Sequence, residues 1–439
     1  MYKRLSAPIR VQVEITNKCN QKCLHCYNYW RSGDISPTSE LSQKDMDRVS
    51  DVLAQNNVFG VVITGGEPLL SYENCVELSS KCQENGLDVS LNTNLTIPEK
   101  HKIKTLKEKG VRSILTSILG PNEETHDRIT NKPGSFGMLL KGLAASIESS
   151  MPITVNMVVT KENKHLVRET AKLVKEMGIK FFCATRAGRP GNCPDFSGLE
   201  LNRQELMDCL GDLLYAKKEL GLEIDTLEPI PLCGITPTNQ DPCFSKRKCV
   251  AGVTTCTIGS NGETRPCSHL PISYGNILTD DFKGIWQKMT ADWAGGKFLP
   301  KECKICPMFG ECGGGCRMVA LGENGINSLC GIDCYADPER AASLKIPAFD
   351  RVRASREKEK GAKPFRLLAN KMRKEAFGGI VYTPNGASIL LDKKGWKIIS
   401  NLEIGKEYRP SDLDWGSIDH LVFLQKLEKD GAVLLATQG

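Results

Sequence analysis

Nineteen cysteines, most of them gathered in two regions, constrain this 439-residue chain more than any other feature. The first region is the segment CNQKCLHC, which contains Cys19, Cys23 and Cys26. The second extends from about residue 229 to 335, where Cys, Gly and Pro dominate and regular periodicity fades. The basic N-terminus has no apolar core or cleavage site, so we expect no secretory signal and a cytoplasmic location, where thiols stay reduced. Clustered cysteines in such a compartment favour metal binding over disulfides.

Composition sets limits on the class of protein. The chain is 40% hydrophobic and 25% charged, with a formal net charge of +6, which is typical of a soluble globular protein of two or three domains. No apolar run approaches the ~18 residues that a membrane span requires. The mild positive charge is spread along the chain, so we expect neither a membrane nor a nucleic-acid partner.

The first half of the chain alternates between two kinds of segment. Short apolar or β-branched runs predict strands at 11–16, 60–64, 87–92, 111–117, 153–160 and 180–185. Amphipathic stretches predict helices at 43–54, 75–82, 99–109, 135–148 and 166–177. This alternation indicates an α/β fold with a parallel sheet. Six units are too few for a complete eight-fold barrel, so either a partial (β/α)6 TIM-like barrel or an open sheet fits.

The three N-terminal cysteines directly follow the first predicted strand. Three thiolates on one loop are able to hold three irons of a cubane cluster and leave the fourth iron open. Zinc is the competing interpretation. It usually needs a fourth protein ligand at short spacing, and none stands nearby in the sequence.

The spacing CxxxCxxC after the first strand resembles the signature of the radical S-adenosylmethionine (SAM) superfamily. The resemblance implies that Cys19, Cys23 and Cys26 are catalytic ligands of a 4Fe–4S cluster. It also implies that the open iron binds SAM, which is cleaved to a 5′-deoxyadenosyl radical. His25 stands where the family carries an aromatic residue that packs against the adenine, and we expect packing rather than metal ligation there.

Further residues resemble the family's SAM-contacting positions. The segment TGGEP resembles the motif for the SAM amino group, and a serine after the fourth strand resembles the one that reaches the ribose. Two more polar residues are weaker candidates. The full set is Gly65, Gly66, Glu67, Pro68, Ser117, Asn94 and Arg128. Leu119 stands where many relatives carry Asp, so no acid–base role is inferred for that position.

The second cysteine region resembles the SPASM extension of peptide-modifying radical SAM enzymes. That resemblance implies two auxiliary 4Fe–4S clusters, and therefore three clusters in all. One would be held by Cys243, Cys249, Cys267 and Cys316, and the other by Cys303, Cys306, Cys312 and Cys334, with Cys330 as an alternative to Cys334. A pair of zinc knuckles remains the alternative. The other cysteines, Cys233 among them, are expected to be buried small hydrophobic residues.

The C-terminal part follows a charged run at 351–363. Strands are predicted at 379–383 and 388–391 around Pro384-Asn385-Gly386, and helices at 396–402 and 420–429. The segment resembles the small PqqD-like precursor-recognition domain, a winged-helix-like α+β fold, and a generic winged helix is the alternative. The predicted domains are therefore a radical SAM barrel at 8–225, a SPASM domain at 229–340, a linker at 341–364 and a peptide-recognition domain at 365–439.

Together these resemblances imply a maturase that abstracts hydrogen from a ribosomally made precursor peptide, with the leader bound by the C-terminal domain. A thioether, a carbon–carbon crosslink, epimerisation and residue excision are all possible outcomes. The electron donor is expected to be a flavodoxin or ferredoxin. Two alternatives remain open. One is a sulfatase-type maturase that oxidises Ser or Cys to formylglycine, and the other is a non-catalytic iron–sulfur or zinc scaffold.

Overall fold

The computed structural model describes residues 2–31, 38–97, 99–190, 196–235, 241–245, 247–320, 331–341 and 363–435. The chain divides into two compact units, Met1–Leu344 and Lys345–Gly439. The predicted linker at 341–364 lies almost entirely outside the described residues, and the predicted domain boundaries stay predictions.

The first unit is built on a nine-stranded sheet. Its strands are β1 Arg10–Thr16, β2 Gly60–Gly65, β3 Asp88–Asn92, β4 Val111–Ser117, β5 Ile153–Val159, β6 Phe181–Arg186, β7 Glu223–Asp225, β8 Thr255–Ile258 and β9 Thr264–Arg265. The spatial order is β7-β6-β5-β4-β3-β2-β1-β8-β9, and every pair is parallel except β8–β9. The predicted α/β fold with a parallel sheet is confirmed, and the six predicted strands are all present.

Helices connect most of these strands. They are α1 Gln43–Gln55, α2 Tyr72–Glu84, α3 Lys100–Glu108, α4 Glu123–Thr130, α5 Ser135–Glu148, α6 Val167–Glu176, α7 Arg203–Lys218 and α8 Phe282–Trp293, followed by the short α9 Lys301–Lys304, α10 Phe309–Cys312 and α11 Pro338–Ala341. The five predicted helices are confirmed. Among those not predicted, α7 begins at a capping box in which Asn202 and Glu205 satisfy each other's backbone amides.

The two faces of the sheet differ in polarity. Val11, Val13 and Ile15 of β1 are completely buried on one face. The register pairs Glu14 with Thr64, and Ser117 with Asn156, on the other. Because neighbouring strands are parallel, their carboxyl ends meet at one edge, and the loops that follow β1 to β4 are brought together there.

The second unit contains two small antiparallel sheets. Its elements are β10 Phe365–Leu367, β11 Lys371–Glu375, β12 Gly378–Tyr382, β13 Ser388–Asp392, α12 Lys393–Ile399, β14 Glu407–Tyr408, α13 His420–Lys429 and β15 Val433–Leu435. The sheets have the orders β14-β10-β15 and β11-β12-β13. Phe365, Val381, Ile399 and Leu424 belong to their common apolar core. The predicted strands and helices of this unit are confirmed.

Within the part of the chain that the structure describes, none of the helices has the length and apolar character needed to cross a bilayer.

Candidate functional site

The loop after β1 carries the three N-terminal cysteines in a compact turn, in which the Cys26 amide donates to the Cys23 carbonyl oxygen at 3.2 Å. Burial raises the pKa of the Cys19 thiol, while a backbone hydrogen bond from Gln21 and the charge of Arg31 oppose that rise. The pKa of Cys23 is also raised by burial, and further by the neighbouring Cys26 and Cys19. Thiols in this setting become thiolates when a cation binds and compensates their charge.

Backbone hydrogen bonds connect the end of β2 to this cysteine loop. The Gly66 amide donates to the Thr16 carbonyl oxygen at 2.8 Å, and the Glu67 amide donates to that of Lys18 at 2.7 Å. From the loop side, the Asn28 side-chain amide donates to the Gly65 carbonyl oxygen at 2.9 Å. A Cβ at Gly66 would overlap the Lys18 carbonyl group, so the glycine is required by close backbone contact.

Glu67 is fully buried and joins the ends of β2 and β3. Its carboxylate accepts hydrogen bonds from the Thr93 hydroxyl at 2.6 Å, the Asn94 amide at 2.7 Å and the Leu69 amide at 2.9 Å. Burial raises the pKa of Glu67 to about 7, although these three donors favour the charged form. Pro68 begins the short 3₁₀ turn that Glu67 caps.

Asn94 extends this network to the cysteine loop, because its side-chain amide donates to the Asn20 side-chain oxygen at 2.7 Å. Thus Gly65, Gly66, Glu67 and Asn94 are all connected to the segment that carries the three cysteines.

His25 is buried within the cysteine loop, and its Nδ1 has no hydrogen-bond partner among the described residues. Burial, with a smaller contribution from His126, lowers the pKa of His25 to about 4. The neighbouring backbone is held by α4, since the Leu24 amide donates to the Ile129 carbonyl oxygen at 3.0 Å. A neutral, buried imidazole suits the packing role expected from the sequence.

Ser117 and Arg128 occupy different settings. Ser117 ends β4 at the carboxyl edge of the sheet, and its hydroxyl makes no hydrogen bond within the described residues. Arg128 lies on α4 and forms an ion pair with Glu162, both side chains being about half exposed. The structure therefore brings Ser117 to the same edge as the cysteine loop, whereas Arg128 is engaged by a surface carboxylate.

The cysteine loop has the donors that an iron–sulfur cluster requires. Backbone amides bond the thiols of Cys19 and Cys26, and such N–H···S bonds stabilise cluster ligands. No group of three or more His, Cys, Asp or Glu side chains in the described ranges is arranged to hold a single metal ion. A cubane instead takes one thiolate per iron, which suits three neighbouring thiols on one loop.

In the second region, the structure first brings together Cys249, Cys267 and Cys316. Burial raises the pKa of Cys267 to about 12, and the nearby Cys249 adds to that rise. Cys249 also contributes to the raised pKa of Cys316. Cys243 has a different environment. Its backbone amide donates to the Asp241 carboxylate at 2.9 Å, and after burial Asp241 makes the largest contribution to the raised pKa of its thiol.

A second group contains Cys303, Cys306 and Cys312. Burial raises the pKa of Cys303 to about 11, with contributions from Cys312, Cys233 and Cys306. Cys334 is exposed, and the charges that act on its thiol are Asp333, Arg186 and Glu200. Cys330 lies outside the described residues. Sequence reasoning missed Cys233 because its spacing matches no ligand pattern, and only the fold brings it to this group.

A buried ion pair that the sequence did not reveal joins β6 to the second cysteine region. Arg186 donates to Asp333 at 2.8 Å, and both side chains are essentially inaccessible. The Cys316 amide donates to the same Asp333 carboxylate at 3.0 Å. The arginine also lies over the ring of Tyr335 at 4.5 Å. Asp333 thus connects the carboxyl end of the parallel sheet to a cysteine of the first auxiliary group.

Comparison with known proteins agrees with this arrangement. Residues 13–174 match the radical SAM superfamily, and residues 249–307 match the SPASM iron–sulfur cluster-binding domain. The chain therefore contains a radical SAM domain followed by a SPASM domain, and it is a radical SAM enzyme.

Individual relatives agree with this family but differ in their named activities. The AdoMet-dependent heme synthase of Methanosarcina barkeri is 28% identical over 74% of this chain and 95% of that protein. The antilisterial bacteriocin subtilosin biosynthesis protein AlbA of Bacillus subtilis is 27% identical over 72% of this chain and 69% of AlbA. The solved structure of native anSMEcpe with bound AdoMet has a TM-score of 0.60 at 18% identity, covering 76% of this chain and 96% of that one, and shows the same fold.

Proposed function

We propose that this enzyme modifies a ribosomally synthesised precursor peptide by radical chemistry. The single observation that carries the proposal is the separate C-terminal unit, in which β13 is an outer strand of the β11-β12-β13 sheet among the described residues. An extended peptide is able to add to such an edge as a further strand. The similarity to a bacteriocin biosynthesis protein supports the same conclusion.

The radical chemistry is assigned to the carboxyl edge of the first unit. Cys19, Cys23 and Cys26 would hold a 4Fe–4S cluster. SAM would lie against Gly65–Pro68, Asn94 and Ser117, beside the buried His25, while Arg128 is a peripheral candidate. When bound there and reduced by a flavodoxin or ferredoxin, SAM supplies a 5′-deoxyadenosyl radical that takes a hydrogen atom from a peptide carbon.

The second cysteine region would hold two auxiliary 4Fe–4S clusters, making three in all. Cys249, Cys267 and Cys316 would bind one of them, with Cys243 as the fourth ligand that the SPASM resemblance supplies. Cys303, Cys306 and Cys312 would bind the other, and the candidates for its fourth ligand are Cys334 and Cys233. Clusters with full cysteine ligation suit the electron transfer that completes an oxidative modification.

Exposed apolar side chains of the C-terminal unit support a peptide-recognition role. On β13, Ile389 and Leu391 face the core, while Leu390 between them is 37% exposed. On α13, Leu421 and Val422 are 45% and 42% exposed. Exposed apolar side chains such as these are what a bound leader segment would cover.

The test first searches the neighbouring genes for a short open reading frame, and then uses the peptide it encodes with the anaerobically reconstituted enzyme, dithionite and SAM. Full-length enzyme should bind and modify the peptide, and a chain that ends at Lys363 should still cleave SAM but bind the peptide at least about tenfold more weakly. Leu390→Lys should weaken peptide binding, while Leu434→Lys, at an even more exposed leucine of the other sheet, should not. Retained peptide modification by the truncated chain would contradict the role of the C-terminal unit.

Mass spectrometry of the product would then identify the reaction. A thioether or carbon–carbon crosslink removes two hydrogen atoms, epimerisation leaves the mass unchanged, and excision removes a residue fragment.

A tetrapyrrole-modifying reaction is the second candidate, because the heme synthase relative is aligned over nearly its whole length. About a quarter of this chain has no counterpart in that alignment. Neither a tetrapyrrole enzyme nor a sulfatase-type maturase has a leader peptide to capture, so neither should need the residues after Lys363. Unchanged activity of the truncated chain on a porphyrin or on a sulfatase peptide would favour one of these functions.

A further inference from the structure

We propose that Arg31 supplies the positive charge that stabilises the reduced form of the N-terminal iron–sulfur cluster. The inference rests on the 4Fe–4S cluster that the proposed function assigns to Cys19, Cys23 and Cys26. It gives a role in electron uptake to a residue that follows the last of these cysteines in the sequence and is not itself a ligand.

The side chain of Arg31 contacts the cysteine loop directly. Arg31 ends the short 3₁₀ turn Tyr29–Arg31, and its guanidinium donates to the Gln21 carbonyl oxygen at 2.9 Å. Gln21 stands between Cys19 and Cys23, and its side-chain oxygen accepts from the Cys23 thiol at 3.4 Å. The cation is therefore bound to the segment that joins two of the three expected ligands.

The charge of Arg31 acts on all three thiols of the loop. Burial raises the pKa of the Cys19 thiol, and the charge of Arg31 and a hydrogen bond from its side chain oppose that rise. Burial also raises the pKa of Cys23 and of Cys26, and the same charge opposes both rises. A cation that favours the thiolate form also stabilises a cluster that these thiolates bind, because net charge sets the reduction potential of such clusters.

Arg31 is partly buried, and among the described residues it forms no ion pair with a carboxylate. Two carboxylates of neighbouring segments bind other cations, since Glu14 pairs with Arg265 at 2.6 Å and Glu40 with Lys18 at 3.0 Å. A guanidinium is always charged, and burying a charge costs free energy unless an opposite charge compensates it. A cubane bound by three thiolates is negative and becomes more negative on reduction, so it provides that compensation.

Neighbouring contacts hold the turn that carries Arg31 in place. The Trp30 indole donates to the carboxylate of Glu14 on β1 at 3.3 Å. The guanidinium of Arg265 lies over the ring of Tyr29 at 4.5 Å. A charge that is already fixed beside the loop needs no reorganisation when an electron arrives, and its effect on the reduced state is correspondingly large.

Reduction adds one electron from the flavodoxin or ferredoxin and forms or breaks no bond in the protein. Arg31→Gln removes the positive charge but keeps an amide that is able to donate to Gln21. The midpoint potential of the N-terminal cluster should therefore fall by at least about 59 mV, which is a tenfold change in the one-electron equilibrium constant. Arg31→Lys keeps the charge, and its equilibrium constant should stay within about threefold of the wild type.

A redox titration followed by electron paramagnetic resonance measures this potential in the anaerobically reconstituted full chain. A variant with Cys19, Cys23 and Cys26 all changed to Ala identifies the signal of the N-terminal cluster by subtraction. Lys22→Gln is the matched control, because Lys22 is an exposed cation of the same loop whose charge solvent and salt screen. Its potential should equal that of the wild type. Iron per chain is measured for every variant.

An unchanged potential in Arg31→Gln at full iron content would overturn the proposal. An equal fall in Arg31→Lys or in Lys22→Gln would do the same, because the charge at this site would then not be the cause. If Arg31→Gln instead lost the N-terminal cluster, full iron in Arg31→Lys would support the charge role. Loss of that cluster from both Arg31 variants would overturn it and leave Arg31 as a structural residue that holds Gln21.

Failure of the proposed function itself would give a different result. If the triple-alanine variant held as much iron as the wild type, the loop would bind no cluster. That part of the proposed function and the role of Arg31 would then be overturned together.

Discussion

The two cysteine regions are organised differently, although both are proposed to bind iron–sulfur clusters. The N-terminal cysteines lie on one loop, and the ends of β2 and α4 hold that loop by backbone hydrogen bonds. The second region draws its thiols from segments that are far apart in the sequence and contain few regular elements. A single loop fixes its ligand set by local spacing, whereas a dispersed set depends on how distant segments pack.

The largest expected effect is at the N-terminal loop. Cys23→Ala removes one of three thiolates and leaves a second iron without a protein ligand, so SAM cleavage should fall below detection. Release of 5′-deoxyadenosine measured by liquid chromatography checks this. Cys209→Ala, a buried cysteine on α7, should cleave SAM normally. Wild-type cleavage by the Cys23 variant would mean that the loop does not bind the cluster.

The second region should instead be most sensitive at its buried ion pair. Asp333→Asn removes one of the two carboxylates that face the buried Arg186 and leaves Glu228, at 3.6 Å, as the other. The loss should therefore be at most the about 3–5 kcal/mol that breaking a buried ion pair typically costs. Urea unfolding of the apoprotein should show a correspondingly lower midpoint. The exposed pair of Lys104 and Glu108 provides the control, because Glu108→Gln should cost less than about 1 kcal/mol. Equal midpoints for the two variants would show that Asp333 does not anchor this region.

The same contrast explains what the sequence was able to predict. Strands β1 to β6 were predictable because β-branched runs recur between amphipathic helices, and Cys19, Cys23 and Cys26 because all three lie within one loop. The contact of Arg186 with Asp333 joins residues 147 positions apart, so no local pattern signals it. Leu232, the residue before Cys233, likewise contacts Cys312 across 80 positions of the sequence, so no local pattern places Cys233 near this group.

Helix α4 shows a similar limit on a smaller scale. Its sequence, EETHDRIT, is polar, yet Thr125, His126, Ile129 and Thr130 are buried against neighbouring segments. Apolar periodicity therefore gave no signal. The local marks of its beginning are the polar cap at Asn122, whose side chain accepts from the Thr125 amide at 3.0 Å, and the acidic Glu123 and Glu124 in the first turn.

A smaller effect is expected at Gly66, which contacts the backbone of the N-terminal loop but is not a cluster ligand. Gly66→Ala introduces a Cβ that overlaps the Lys18 carbonyl group, and overpacking of this kind costs about 1–3 kcal/mol. The displaced loop should also bind less iron on reconstitution. Gly137→Ala is the control, since its Cβ would meet no atom within 4 Å and the change should stabilise α5 by up to about 1 kcal/mol. Full iron content and an unchanged unfolding midpoint for Gly66→Ala would contradict the required contact.

The smallest effect is expected at Glu67. Changing it tests whether the hydrogen bonds of its buried carboxylate hold the cysteine loop. In Glu67→Gln the amide oxygen is able to keep the Thr93 and Leu69 donors, but the new NH₂ group then faces the Asn94 amide. One unsatisfied buried donor costs about 1–3 kcal/mol, and calorimetry should show a lower Tm. Because Asn94 also bonds Asn20 of the cysteine loop, the Kd for SAM should rise by about three- to tenfold, equivalent to about 0.7–1.4 kcal/mol. Glu99→Gln, on the exposed surface, should change neither value. If SAM binding were abolished while the Tm stayed the same, Glu67 would act on the cofactor directly. Its hydrogen bonds from Thr93, Asn94 and Leu69 would then not explain its effect on SAM binding.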